Sequence, residues 1–180
     1  MVWLSGVHRV GKNFLCRSLL NVEYVDCELP STRSRLEAPE RFLRDFVGRR
    51  VVIDEIQRLR NPSELLKIAA DYHPETSVIA TGSSSLGASR RFRDTLTDRK
   101  RDLRLTPMTL QDEREFGSRG IDHRFRHGGL PPFFLAAEPP ERRFQEWLDS
   151  CWARDIQELF SPRTALVVPE VRRNGARTKR

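Results

Sequence analysis

Lys12 follows two glycines set five positions apart, in Gly6-Val7-His8-Arg9-Val10-Gly11-Lys12-Asn13, and that pattern has a definite chemical use. Glycines permit a tight turn whose backbone N–H groups converge on an anion, and the lysine brings a positive charge to the β and γ oxygens of a nucleotide. Gly6, Val7, His8, Arg9, Val10, Gly11, Lys12, Asn13 and Phe14 are therefore the candidate nucleotide-binding residues. Further on, Val51-Val52-Ile53-Asp54-Glu55 ends an apolar run on two carboxylates. Asp54 is the candidate Mg²⁺ ligand and Glu55 the candidate general base that polarises an attacking water. The plain alternative is that both acids cap a strand or pair with Arg58 and Arg60. Taken together the two stretches favour chemistry, because each presupposes the other's geometry.

Three further groups bear on the site. Asn13 stands where the phosphate-loop pattern has Ser or Thr, so Mg²⁺ would meet a neutral amide oxygen in place of a hydroxyl. Asn13 is thus the second candidate metal ligand, and binding is better supported than turnover. Ser83 and Ser84 follow the apolar run 77–82 and are placed to present a hydroxyl near the γ-phosphate. His123 and His127 have a helical ligand spacing, but no carboxylate or thiol stands beside them in what reads as an Arg/Gly-rich loop, which argues against a metal there.

These residues need elements to hold them. Val2, Trp3 and Leu4 read as a buried strand, residues 6–11 as a loop, and Phe14, Leu15, Leu19 and Leu20 as the apolar positions of a helix. Residues 23–27 form a short second strand ended by Pro30. Residues 34–47 make one amphipathic helix on Leu36, Phe42, Leu43 and Phe46, closed by Gly48. The β-branched run 51–53 is a strand buried on both faces, with its acids at the carboxyl end. Asn61 and Pro62 open a helix, and residues 77–82 form another buried strand. Residues 131–134 read as a break and 139–159 as a long helix with Phe144, Trp147, Leu148, Trp152 and Ile156 on one stripe.

With 180 residues, 38% apolar and 32% charged, the chain has the composition of a globular protein with one real core. No apolar run approaches the roughly 20 residues that span a bilayer, so the expected location is cytoplasmic with no membrane partner. Three scattered cysteines read as reduced structural thiols. The net charge of +7 invites nucleic acid as a partner, but Arg172, Arg173, Arg177, Lys179 and Arg180 place much of it in the tail. Residues 90–104 are also basic, yet Asp94, Asp98 and Asp102 interleave them, which favours a solvated surface.

The set GVHRVGKN, VVIDEIQRL and SVIATGSSSL resembles the P-loop ATPases of the AAA class, in the bacterial and archaeal family whose sensor strand reads hydrophobic-T-G-S-S. The segments LTDR at 96–99, LTPMTL at 105–110 with Glu113, HGGLP at 127–131 and ARDI at 153–156 are similar to that family's later pieces, although Asp98 replaces its usual glycine. The resemblance implies ATP with Mg²⁺, Walker A at the glycine loop and Walker B at Asp54-Glu55. It implies a three-layer α/β P-loop NTPase fold with a mostly parallel five-stranded sheet and a C-terminal helical extension, with strand 77–82 lying between the other two motif strands. It also implies that Arg99, ahead of a fifth strand, serves a neighbouring subunit's γ-phosphate in a homo-oligomer. The expected division is a core at 1–116, a loop and helical extension at 117–160 and a basic disordered tail at 161–180. Such proteins normally continue into a restriction-endonuclease-like domain, so the expectation is a shortened relative. ATP hydrolysis is the first reading; the rivals are a non-hydrolysing nucleotide-binding module for a protein partner, and a basic nucleic-acid-binding protein.

Overall fold

The computed structural model describes residues 1–83, 96, 98–117 and 119–152. Five strands, β1 (Val2–Gly6), β2 (Val22–Asp26), β3 (Arg50–Asp54), β4 (Ser77–Ser83) and β5 (Arg101–Leu105), form one sheet in the order β2-β3-β4-β1-β5. Every pairing is parallel, in keeping with the expected five-stranded sheet. β4 lies between the glycine-loop strand and the acidic strand, as the resemblance implied. All carboxyl ends therefore open on one edge, where the loop after Gly6 and the acids after Ile53 meet.

Residues alternate between the two faces of the sheet. Trp3, Val51, Ile53, Val78 and Ala80 join the larger core beneath α2 (Pro30–Leu36), α3 (Pro39–Arg44) and α4 (Pro62–Tyr72). Leu4 and Val52 face the opposite side and pack with Cys16 of α1 (Lys12–Ser18). Leu36, Phe42, Leu43 and Phe46 are all buried, but not on one helix. Pro39 splits the stretch, because a proline inside a helix removes a donor and clashes with the preceding turn. Pro30 ends the run after β2 by opening α2, occupying a first-turn position that requires no N–H.

The first helix departs from its apolar pattern. Its buried residues are Lys12 and Cys16, four apart, while Phe14 is 81% exposed and Leu15, Leu19 and Leu20 also face outward. The rotational phase of α1 is set by the lysine that must reach under the loop, and Leu19 and Leu20 lie beyond the helix end.

Past β5 the chain returns to the loop edge through α5 (Asp112–Glu115), α6 (Gly120–His127), α7 (Pro131–Phe134) and α8 (Glu141–Cys151). Residues 131–134 are a helical turn and not a break, with prolines at its start. His123 and His127 sit on α6 and not in a loop; their rings stack at 3.8 Å, and the His123 Nε2 is engaged with the Phe134 carbonyl at 2.7 Å. Among the described residues no group of three or more His, Cys, Asp or Glu side chains is placed to hold a metal ion, and no helix is long and apolar enough to cross a membrane. Buried Glu113 pairs with Arg124, whose guanidinium also donates to the Met108 carbonyl at 2.6 Å, and the Met108 N–H donates to the Gly129 carbonyl at 2.7 Å. These bonds fasten the extension to the segment that leaves β5. Ile156 and the basic tail lie outside the described residues.

Candidate nucleotide site

The loop after β1 needs its glycines for two separate reasons. At Gly6 a side chain would meet the Leu105 carbonyl oxygen at 2.6 Å and Val10 at 2.9 Å, so β5 and the loop can close only around a bare backbone. At Gly11 φ is +103°, a left-handed conformation that side chains oppose, and among the described residues nothing lies within 4 Å of the missing Cβ. That open space belongs to a cavity of about 260 Å³ lined by His8, Arg9, Gly11, Lys12, Asn13, Phe14, Glu55 and Pro132. A concave wall of backbone and lysine, with a carboxylate across from it, has the composition of a phosphate site.

Lys12 is 6% exposed, and its ammonium donates to the Gly6 carbonyl at 2.8 Å and the Val7 carbonyl at 3.3 Å. The loop itself is braced by Val10 N–H donating to the Val7 carbonyl at 3.3 Å. Asn13 and Phe14, exposed at the start of α1, line the same cavity.

Asp54 ends β3 and is 1% exposed. Its two carboxylate oxygens accept hydroxyl hydrogens from Tyr24 of β2 and from Thr81 of β4. An isolated buried carboxylate would be costly, and these two donors from flanking strands compensate it. Neither donor stood out in the sequence. Thr81 was nevertheless legible, since it is a polar residue in an otherwise apolar and small run that lies beside β3. Burial, then its bond to Asp54, pushes the Tyr24 phenol well above its usual range, so it remains a donor.

Glu55 follows directly and adopts a left-handed φ of +52°. This turn aims consecutive acids in different directions, Asp54 into the sheet edge and Glu55 into the cavity wall. Its N–H lies 3.4 Å from the Thr81 hydroxyl, and its carboxylate accepts from Gln57 Nε2. Burial, then the Asp54 charge, raises the Glu55 pKa above the usual carboxylate value. Gln57 Oε1 is buried with no hydrogen-bond partner among the described residues, and a Cβ on Gly82 would approach it to 2.8 Å. Gly82 thus leaves the space in which Gln57 holds Glu55.

Lys12, Asp54 and Glu55 share one side of the sheet edge. Burial, then the Asp54 charge, pushes the Cys16 thiol up to about 11, with the Lys12 charge acting in the opposite direction. Cys27, behind Asp54, is raised by burial to about 12, so neither thiol is a nucleophile at neutral pH. Ser83 pairs in register with Gly6 at the end of β4; Ser84 lies outside the described residues. Arg99 is not part of this cluster. It precedes β5 at the amino end of the strands, where β5 starts alongside Val2, and its guanidinium pairs with Asp71 at 2.7 Å.

Each Asp54 oxygen keeps a lone pair after its hydroxyl bond, and the Asn13 amide oxygen adds a neutral ligand of the type Mg²⁺ accepts.

A family model described as an AAA domain matches residues 1–113. None of the curated proteins compared with the chain matches it. Among solved structures, a DNA polymerase III gamma subunit-related protein from Thermotoga maritima is similar at 11% identity and a TM-score of 0.37, over 83% of this chain and 51% of that one. The chain thus spans about half the length of that relative.

Proposed function

The chain belongs to the AAA domain family, and from that premise we propose that this nucleotide-binding domain hydrolyses ATP with Mg²⁺. The observation that carries the reading is the single cavity that joins the glycine loop and Lys12 to Glu55, with Asp54 buried beside it.

In this reading the loop N–H groups and the Lys12 ammonium bind the β and γ phosphates, the lysine exchanging loop carbonyls for phosphate oxygens. Asp54 and Asn13 would hold Mg²⁺, with Tyr24 and Thr81 fixing the carboxylate. When bound, the cation draws negative charge from the phosphate oxygens. Glu55, held by Gln57, takes a proton from water as the water oxygen bonds to the γ-phosphorus and the bond to the β-phosphate oxygen breaks. The Ser83 hydroxyl is a candidate to orient that water. Arg99 lies at the other end of the strands, so it enters this scheme only through a second copy of the chain.

Asn13 supports a second reading, a nucleotide-binding module with little turnover, because the hydroxyl that usually completes the metal's ligands is absent. Phosphate release measured beside nucleotide affinity separates the two. Under the first reading Glu55→Gln lowers release by about 100-fold or more while ATP still binds. Tight binding with no release by the unaltered protein selects the second.

A further inference from the structure

The AAA match ends at residue 113, yet the glycine loop is gripped from beyond it. The indole Nε1 of Trp147, on α8, donates to the His8 carbonyl at 3.1 Å. Phe133 of α7 is 1% exposed and packs with Val10 and Leu130, with Val7 and Trp147 at the margin of the same cluster. The Phe133 and Trp147 rings meet edge to face at 6.3 Å, and the Arg9 guanidinium lies 5.9 Å from the Phe133 centroid. Pro132 completes the cavity wall.

Arg9 has a φ of +66°, a conformation that a side chain occupies only where its surroundings impose it. The contacts on either side of its backbone supply that constraint. In a trans peptide the C=O and the following N–H point in opposite directions. Holding the His8 carbonyl toward α8 therefore directs the Arg9 N–H away from α8.

We infer that Trp147 is a positioning residue for the phosphate loop, its bond to the His8 carbonyl and the packed Phe133 ring holding residues 7–12 in the anion-binding conformation before nucleotide arrives. The inference rests on the nucleotide-site reading above and adds that the site is built jointly by the core and the extension.

Amide hydrogen exchange on the full chain without nucleotide tests it. Trp147→Phe keeps the ring and removes the donor, and exchange across residues 7–12 rises about fivefold, the equilibrium worth of one net hydrogen bond, while the sheet amides are unchanged. ADP affinity falls by a similar factor. Trp152→Phe, on the same stretch but 54% exposed, leaves loop exchange as in the unaltered protein. Should Trp147→Phe lose helical circular dichroism, Phe133→Leu keeps an apolar side chain in the cluster, removes the ring near Arg9 and carries the same expectation. Loop exchange unchanged in these variants, or raised equally by Trp152→Phe, overturns the inference. Failure of ADP to bind the unaltered protein would remove the nucleotide reading, while the exchange comparison, made without nucleotide, still decides this one.

Discussion

Thr81→Val exchanges a hydroxyl for a methyl at a position with no solvent exposure, and so isolates the clamp on Asp54 from packing. The hydroxyl donates to Asp54 Oδ1, and valine fills the same volume without it. Losing a hydrogen bond to a buried charged acceptor costs about 2 kcal/mol. For a chain of this length each kcal/mol moves the melting temperature by roughly 2–4 °C, so Thr81→Val melts about 4–8 °C below the unaltered protein. Thr81→Ser makes the opposite change. It keeps the donor and deletes one buried methyl, at about 1 kcal/mol and therefore about 2–4 °C. Differential scanning calorimetry of the nucleotide-free chain at pH 7.5 measures both. If Thr81 contributes only packing, the order inverts. A Thr81→Ser variant less stable than Thr81→Val, or a Thr81→Val variant within about 1 °C of the unaltered protein, would falsify the clamp.

The remaining expectations concern the same edge. Because burial and the Asp54 charge raise the Glu55 pKa, the folded chain holds that proton more tightly than the unfolded chain, and stability falls as pH rises from the unfolded value of about 4.3 through the folded one. Glu55→Gln therefore raises the melting temperature at pH 7.5, with the gain vanishing at pH values below that window; a gain that persists there contradicts the assignment. Gln57→Ala lowers ATP turnover about 10- to 100-fold by releasing Glu55 from its geometry, and leaves ADP affinity within about twofold. Loss of both in parallel would mean that Gln57 acts on binding. Asn13→Thr restores a metal-facing hydroxyl and raises turnover several-fold at saturating Mg-ATP; an unchanged rate shows that the amide is no impediment.

The sequence was most legible where backbone chemistry leaves little choice. Gly6, Gly11 and Lys12 after an apolar run, and two acids after three β-branched residues, locate the carboxyl edge of a parallel sheet, while the order β3-β4-β1 was accessible only through the family resemblance. Helix boundaries were less accessible. Pro39 looked compatible with one amphipathic stretch because the residues on both sides of it are buried in one core, although by different helices. The phase of α1 was misread for a different reason: its buried face is chosen by Lys12, so hydrophobic spacing pointed to side chains that lie in solvent. Contacts between distant segments had no local signal. Nothing near His8 indicates an indole donor 139 positions away, and nothing around Asp54 names Tyr24 until β2 is laid beside β3. Thr81, like Tyr24, becomes legible only once its strand is laid beside β3.

Isothermal titration of ADP and ATP into the unaltered chain and Lys12→Ala, each with and without Mg²⁺, addresses the nucleotide site most directly. Removing the buried ammonium takes away a charge-assisted bond, and both nucleotides should bind the variant about tenfold more weakly or worse. Mg²⁺ should strengthen ATP binding to the unaltered chain. Equal affinities in the two proteins, or no binding of either nucleotide to the unaltered chain, would mean that the loop, the lysine and the acids at this edge do not form a phosphate site.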